Sequence, residues 1–91
     1  MAIVFLDSAA KHGFTQEDAV YAMNNHSYYL PEFDRSRTGG NSPHLAIGPS
    51  LNGEEIEVMF TVEPPSRIVI FHCMLARDKI KKLCRKGERT S

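Results

Sequence analysis

Two side chains late in the sequence are of the types needed for chemistry at a phosphate group. His72 lies near the end of an apolar run, and Arg77 follows at the turn into a basic segment. A histidine titrates near neutral pH and can accept or donate a proton. An arginine presents a fork of N–H donors that matches two phosphate oxygens and stabilises developing negative charge. The pair therefore predicts a catalytic site, whereas the alternative for His72 is a structural histidine bonded to backbone or water.

Further candidates for the same chemistry are spread along the chain. His44 precedes a short apolar strand and is a second candidate for proton transfer, with an exposed loop histidine as its alternative. Tyr28 offers a ring on which a nucleic-acid base could stack. The remaining candidates would bind a phosphate backbone through their charge, either from a Gly-rich loop or from helically spaced positions (Arg35 and Arg37; Lys79, Lys82 and Lys86).

The formal net charge of zero conceals an uneven distribution. Residues 1–64 contain nine acidic and three basic side chains, whereas residues 65–91 contain eight basic and two acidic ones. Such asymmetry favours an acidic protein or a nucleic acid as the partner of the basic segment. The simpler alternative is a solvated helix face followed by a loose tail.

Several other functional classes are disfavoured by what the sequence lacks. Cys73 and Cys84 are too few for a disulfide framework, and no CxxC or HxxxH spacing indicates a metal site. Gly39 and Gly40 lack the spacing and the lysine of a phosphate-binding loop, so no cofactor is expected. No apolar run is long enough to span a membrane, and the first residues do not resemble a signal peptide. We therefore expect a cytoplasmic location.

Hydrophobic periodicity and turn residues predict the element order β-α-α-β-β-β-β-α. Thr15 is expected to cap the second helix, and Lys11 and His12 are expected to close the first one in a structural role. Strands in series with short links favour a mainly antiparallel sheet of four or five strands. The prediction is a single α+β domain over residues 1–86, with two N-terminal helices, a basic C-terminal helix and a flexible tail over residues 87–91.

Three segments, in the right order, resemble the BrnT family. Residues 11–19, KHGFTQEDA, are similar to its KHG(I/V)(S/T)xE(E/D)A stretch, and residues 45–48, LAIG, are similar to the start of its Ile-Gly hairpin. Residues 67–79, RIVIFHCMLARDK, resemble its strand-to-helix segment, which contains His72 and Arg77 here. Together these segments cover most of residues 3–83.

The resemblance implies a small RelE-like α+β fold and the activity of a type II toxin, an endoribonuclease inhibited by a cognate antitoxin. It also implies a homodimer or a toxin–antitoxin heterotetramer. Cleavage without a metal would use the 2′-hydroxyl of the RNA as nucleophile, so His72, Arg77 and His44 are the catalytic candidates.

Two alternatives to this function remain open. The family's serine before the helix and its arginine before the Ile-Gly strand are absent here, where Pro43 and His44 occupy the latter place. Their absence favours a non-catalytic binding module whose basic C-terminal segment holds an acidic partner. A direct nucleic-acid binder would instead show a steep salt dependence of its affinity.

Overall fold

The computed structural model describes residues 2–30, 43–63 and 66–82, and the element order within them is the predicted one. The elements are β1 (Ala2–Phe5), α1 (Asp7–Ala10), α2 (Gln16–Asn24), β2 (Tyr28–Leu30), β3 (His44–Pro49), β4 (Glu55–Glu63) and β5 (Arg67–Leu75). A further helix, α3, begins at residue 78 and includes residues 78–82. The predictions for the Gly-rich loop, the end of the basic helix and the tail after residue 86 fall outside the described residues.

The five strands form one sheet in the order β1-β5-β4-β3-β2, which confirms a small α+β domain. The pairs from β2 to β5 are antiparallel, but β1 runs parallel to β5, so the sheet is mixed. The parallel pair arises because α1 and α2 separate β1 from β2, and the two strands lie at opposite edges of the sheet. No hairpin turn joins β1 to β5, the strand it pairs with, so β1 is not constrained to run antiparallel to it.

The second helix packs closely on one face of the sheet. Thr15 caps it as predicted, and a reciprocal hydrogen bond from the Thr15 backbone to Asp18 completes a capping box. Ala19 and Ala22 are fully buried against β3 and β4. A Cβ on Gly48 would overlap the carbonyl oxygen of Ala22, so glycine at this position permits the close approach of helix and sheet.

A smaller apolar cluster covers the opposite face of the sheet. It is formed by Leu45, Ile47 and Met59 together with Ile80 of α3.

None of the helices within the described ranges has the length and apolar character needed to traverse a lipid bilayer.

An irregularity in β5 determines which side chains share a face. Met59 pairs with His72, whereas Phe60 pairs with Ile70, so the register skips Phe71. Ile70 and Cys73 consequently both pack under the helices, while Phe71 packs in the opposite cluster. In a regular strand, side chains alternate between the two faces, so Ile70 and His72 would lie on the same face. That expectation is wrong from Phe71 onward, because the irregularity shifts the alternation by one residue.

Candidate active site

A buried carboxylate organises the sheet face that α3 covers. The Glu57 side chain is 0% exposed and lies on the same face as Met59, since Ile56 and Val58 face the helices. His72 Nε2 lies 2.8 Å from Glu57 Oε2. Because an ionised carboxylate only accepts hydrogen bonds, this nitrogen carries the proton and donates it. Glu57 thereby fixes both the orientation and the tautomer of the His72 ring.

The same carboxylate binds Arg77 through both its backbone and its side chain. The Arg77 backbone N–H donates to Glu57 Oε1 at 2.9 Å, and Nη2 donates to Oε2 at 2.7 Å. Arg77 precedes α3 and accepts the first hydrogen bonds of that helix at its carbonyl oxygen. Glu57 therefore holds the start of α3 against the sheet and orients the guanidinium of Arg77, whose side chain is 37% exposed.

The protonation states in this cluster follow from its hydrogen bonds. Burial alone would raise the pKa of Glu57, but hydrogen bonds from His72 and Arg77 outweigh burial and lower the pKa to about 2. The hydrogen bond with Glu57 raises the pKa of Arg77 above its ordinary value. Glu57 and Arg77 are therefore an ion pair throughout the physiological pH range.

A second imidazole joins the cluster from the N-terminal part of the chain. The ring centroids of His12 and His72 are 6.1 Å apart, in an edge-to-face arrangement. This proximity arises because α1 lies alongside the part of β5 that extends past β1, where Ser8 Oγ donates to the Phe71 carbonyl oxygen at 2.7 Å. His12 was expected to act only in closing the first helix, yet its exposed ring lies beside the predicted catalytic histidine.

The third predicted histidine lies on the other side of the sheet. His44 stacks on Phe60 with ring centroids 5.3 Å apart, and its Nδ1 lies 2.9 Å from the Tyr29 hydroxyl. Phe60 belongs to the core under the helices. The sheet therefore separates His44 from His72 and Arg77, so the predicted set of three does not form a single site.

The predicted RNA-binding residues fall into three groups. Tyr28 packs against the apolar cluster around Leu45, and the neighbouring Tyr29 is the more exposed ring of the two. Lys79 and Lys82 are exposed on α3, directly after Arg77. The others lie outside the described residues (Arg35, Arg37 and Lys86).

Two observations narrow the chemistry that this arrangement can perform. Burial raises the pKa of the Cys73 thiol to about 12, so Cys73 does not supply a thiolate nucleophile near neutral pH. Within residues 2–30, 43–63 and 66–82, no group of three histidine, cysteine or acidic side chains is placed to hold a metal ion. The cluster is best suited to acid–base catalysis by imidazoles next to an oriented guanidinium.

The chain matches no protein-family model, no curated protein and no solved structure.

Proposed function

We propose that this protein is a metal-independent endoribonuclease that acts as the toxin of a type II toxin–antitoxin pair in the cytoplasm. The observation that carries the proposal is the pair of imidazoles, His12 and His72, next to the guanidinium of Arg77. Two imidazoles can share the two proton transfers that cleavage by an RNA 2′-hydroxyl requires. Arg77 supplies a positive charge for the phosphate oxygens.

His72 is assigned as the general base in this mechanism. Its Nε2 donates to Glu57, so the other ring nitrogen is the one that can accept a proton. That nitrogen removes the proton of the 2′-hydroxyl as the 2′-oxygen attacks phosphorus. Glu57 then stabilises the imidazolium that forms, as a carboxylate does in other carboxylate–histidine pairs.

His12 is assigned as the general acid, and Arg77 as the group that stabilises charge. The protonated His12 ring donates its proton to the departing 5′-oxygen, whose bond to phosphorus breaks. Arg77 Nη1 forms no hydrogen bond within the described part of the chain and can donate to a nonbridging phosphate oxygen. The products are a 2′,3′-cyclic phosphate and a free 5′-hydroxyl.

The test compares three histidines in one assay. Wild-type protein and the variants His12→Ala, His72→Ala and His44→Ala are incubated with labelled mixed-sequence RNA in EDTA. Loss of a general acid or base should slow cleavage by roughly 10²- to 10⁴-fold. His44→Ala is the matched control, because it removes the same side chain from the opposite face and should cleave at the wild-type rate. Wild-type protein that leaves RNA intact, or His12→Ala and His72→Ala proteins that cleave normally, would refute the proposal.

The toxin part of the proposal rests on the resemblance to the BrnT family, which also suggests a RelE-like fold. Its three segments contain His12, Gly48, His72 and Arg77, which occupy the site and the helix–sheet contact. Expression should arrest bacterial growth, and His72→Ala should relieve the arrest. A cognate antitoxin would bind the chain within a heterotetramer, with a homodimer as the alternative assembly.

A non-catalytic binding module is the second candidate function. Lys79 and Lys82 are exposed on α3, and Glu57 already holds His72 and Arg77, as in a purely structural cluster. In that case RNA would survive the assay above. Charge reversal in the variant Lys79→Glu/Lys82→Glu would then abolish binding of an acidic partner without changing the fold.

A further inference from the structure

A cavity of about 350 Å³ lies at the end of the sheet and is lined in part by His12. Its walls come from the turn between α1 and α2, the turn that precedes β4 and the end of β5 (His12, Gly13, Phe14, Glu54, Met74 and Leu75). Its volume falls within the roughly 300–1,000 Å³ range of small-molecule sites. The cavity shares His12 with the proposed catalytic site, and Met74 lies two residues after His72 on β5.

We propose that this cavity is a base-binding subsite that selects guanine, an inference that rests on the proposed function. A phosphate held between His12, His72 and Arg77 brings the nucleoside attached to it within reach of the cavity. The Phe14 ring and the Met74 thioether can contact the flat face of a base. Among residues 2–30, 43–63 and 66–82, no lysine or arginine lines the cavity, whereas Glu54 does, so this lining disfavours a second phosphate and suits an uncharged group.

Glu54 determines which base fits best. The two oxygens of a carboxylate accept two parallel hydrogen bonds from donors that lie side by side. Guanine presents such a pair on its Watson–Crick edge, namely N1–H and the 2-amino group. Adenine and cytosine each place an acceptor beside the amino group there, and uracil flanks its single N–H with two carbonyl oxygens.

Backbone hydrogen bonds fix the position of Glu54, and these bonds do not involve its carboxylate. The Glu54 N–H donates to Ser50 Oγ at 3.2 Å, and its carbonyl oxygen accepts from the Ser50 N–H at 2.7 Å. These bonds hold the turn that precedes β4, and Ser50 itself is buried. Glu54 therefore lines the cavity from an anchored backbone.

The test measures binding of the four nucleoside 3′-monophosphates by calorimetry, in the full-length protein. Wild-type protein should bind guanosine 3′-monophosphate about tenfold more tightly than the other three, the lower end expected for a bidentate pair that is partly solvated. Glu54→Gln should abolish most of that preference. Glu63→Gln is the matched control, since Glu63 lies at the far end of β4 and pairs with Arg67 outside the cavity. This control should keep the wild-type preference.

The outcomes separate this inference from the proposed function. Equal binding of the four nucleotides by wild-type protein, or a guanine preference that survives Glu54→Gln, overturns the subsite even where RNA is cleaved. A preference that depends on Glu54 in a protein that cleaves no RNA supports the subsite and refutes the nuclease. Wild-type cleavage that is fastest next to guanine, and that loses this selectivity in Glu54→Gln, supports both.

Discussion

The sheet face under α1 and α2 is filled by small and branched apolar side chains, whereas the face under α3 encloses a carboxylate. On the first face, Ala19, Ala22 and Gly48 let a helix backbone approach a strand backbone. On the second face, Glu57 is fully buried and satisfied by His72 and Arg77. On the closely packed first face, a larger side chain should destabilise the protein. On the second face, removal of one partner of the ion pair should destabilise it. The two faces should therefore respond to different kinds of substitution.

The strongest contrast is expected from removing the charge of Glu57. Glu57→Gln keeps the side-chain volume but leaves the donors of His72 and Arg77 facing a neutral amide, so the free energy of unfolding should fall by about 3 kcal/mol. Glu55→Gln is the matched control on the same strand, because Glu55 is exposed and pairs with Lys81. This control should change the free energy of unfolding by less than about 1 kcal/mol. Urea denaturation at pH 7 measures both, and equal losses would contradict the contrast.

The pH dependence of stability should identify the same group. Glu57 has its pKa lowered from 4.5 to about 2, so the unfolded chain binds more protons between these values. Stability from Glu57 is complete above pH 4.5 and is lost as pH falls toward 2, by about 3 kcal/mol in total. Denaturation curves at successive pH values should show this loss in wild-type protein, and Glu57→Gln should lack that component. If Glu57→Gln keeps the full loss of stability at low pH, that loss comes from other carboxylates.

The local features of the fold could be predicted from the sequence because they depend on neighbouring residues. The Thr15 cap, the turn at Gly53 and the bounds of β5 all follow from residue types within a few positions. The parallel pairing of β1 could not be predicted in this way, since β1 and β5 are joined only through the intervening elements.

The cluster of Glu57, His72 and Arg77 could be predicted only in part, because it joins residues that are distant in the sequence. His72 and Arg77 were identified by residue type, but Glu57 contacts them from 15 and 20 positions away. A charged residue between Ile56 and Val58 fits the exposed face of an alternating strand equally well, so only the contacts show that Glu57 is buried. His12 lies 60 positions from His72 along the chain, so the residue types near either histidine do not indicate their proximity.

A smaller effect on the other face should come from added volume. Gly48→Ala places a Cβ against the Ala22 carbonyl oxygen, and separation of α2 from β3 should cost about 1–3 kcal/mol. Gly53→Ala is the comparison, because a Cβ added there would meet no atom within 4 Å, although the backbone φ is 88°. This variant should lose only about 1 kcal/mol of the free energy of unfolding. Thermal and urea denaturation measure both variants. The acid-dependent loss assigned to Glu57 should be unchanged in Gly48→Ala, and a change there would show that the faces are coupled.

The smallest effect is expected for the carboxylate of Asp18, on the helix-covered face. Burial opposes ionisation of Asp18, but hydrogen bonds from the Leu51 and Thr15 backbones lower its pKa. Asp18→Ala should reduce the free energy of unfolding by about 1 kcal/mol, as loss of a helix cap does. Glu17→Ala, one position earlier in the same helical turn, should cost less than about 0.5 kcal/mol, because it loses only the helix-dipole interaction. Equal losses in urea denaturation would show that the capping box adds nothing beyond charge. The loss should be well below that of Glu57→Gln, because water can replace the Asp18 carboxylate at the exposed donors of Thr15 and Leu51, whereas it cannot reach the buried position of Glu57.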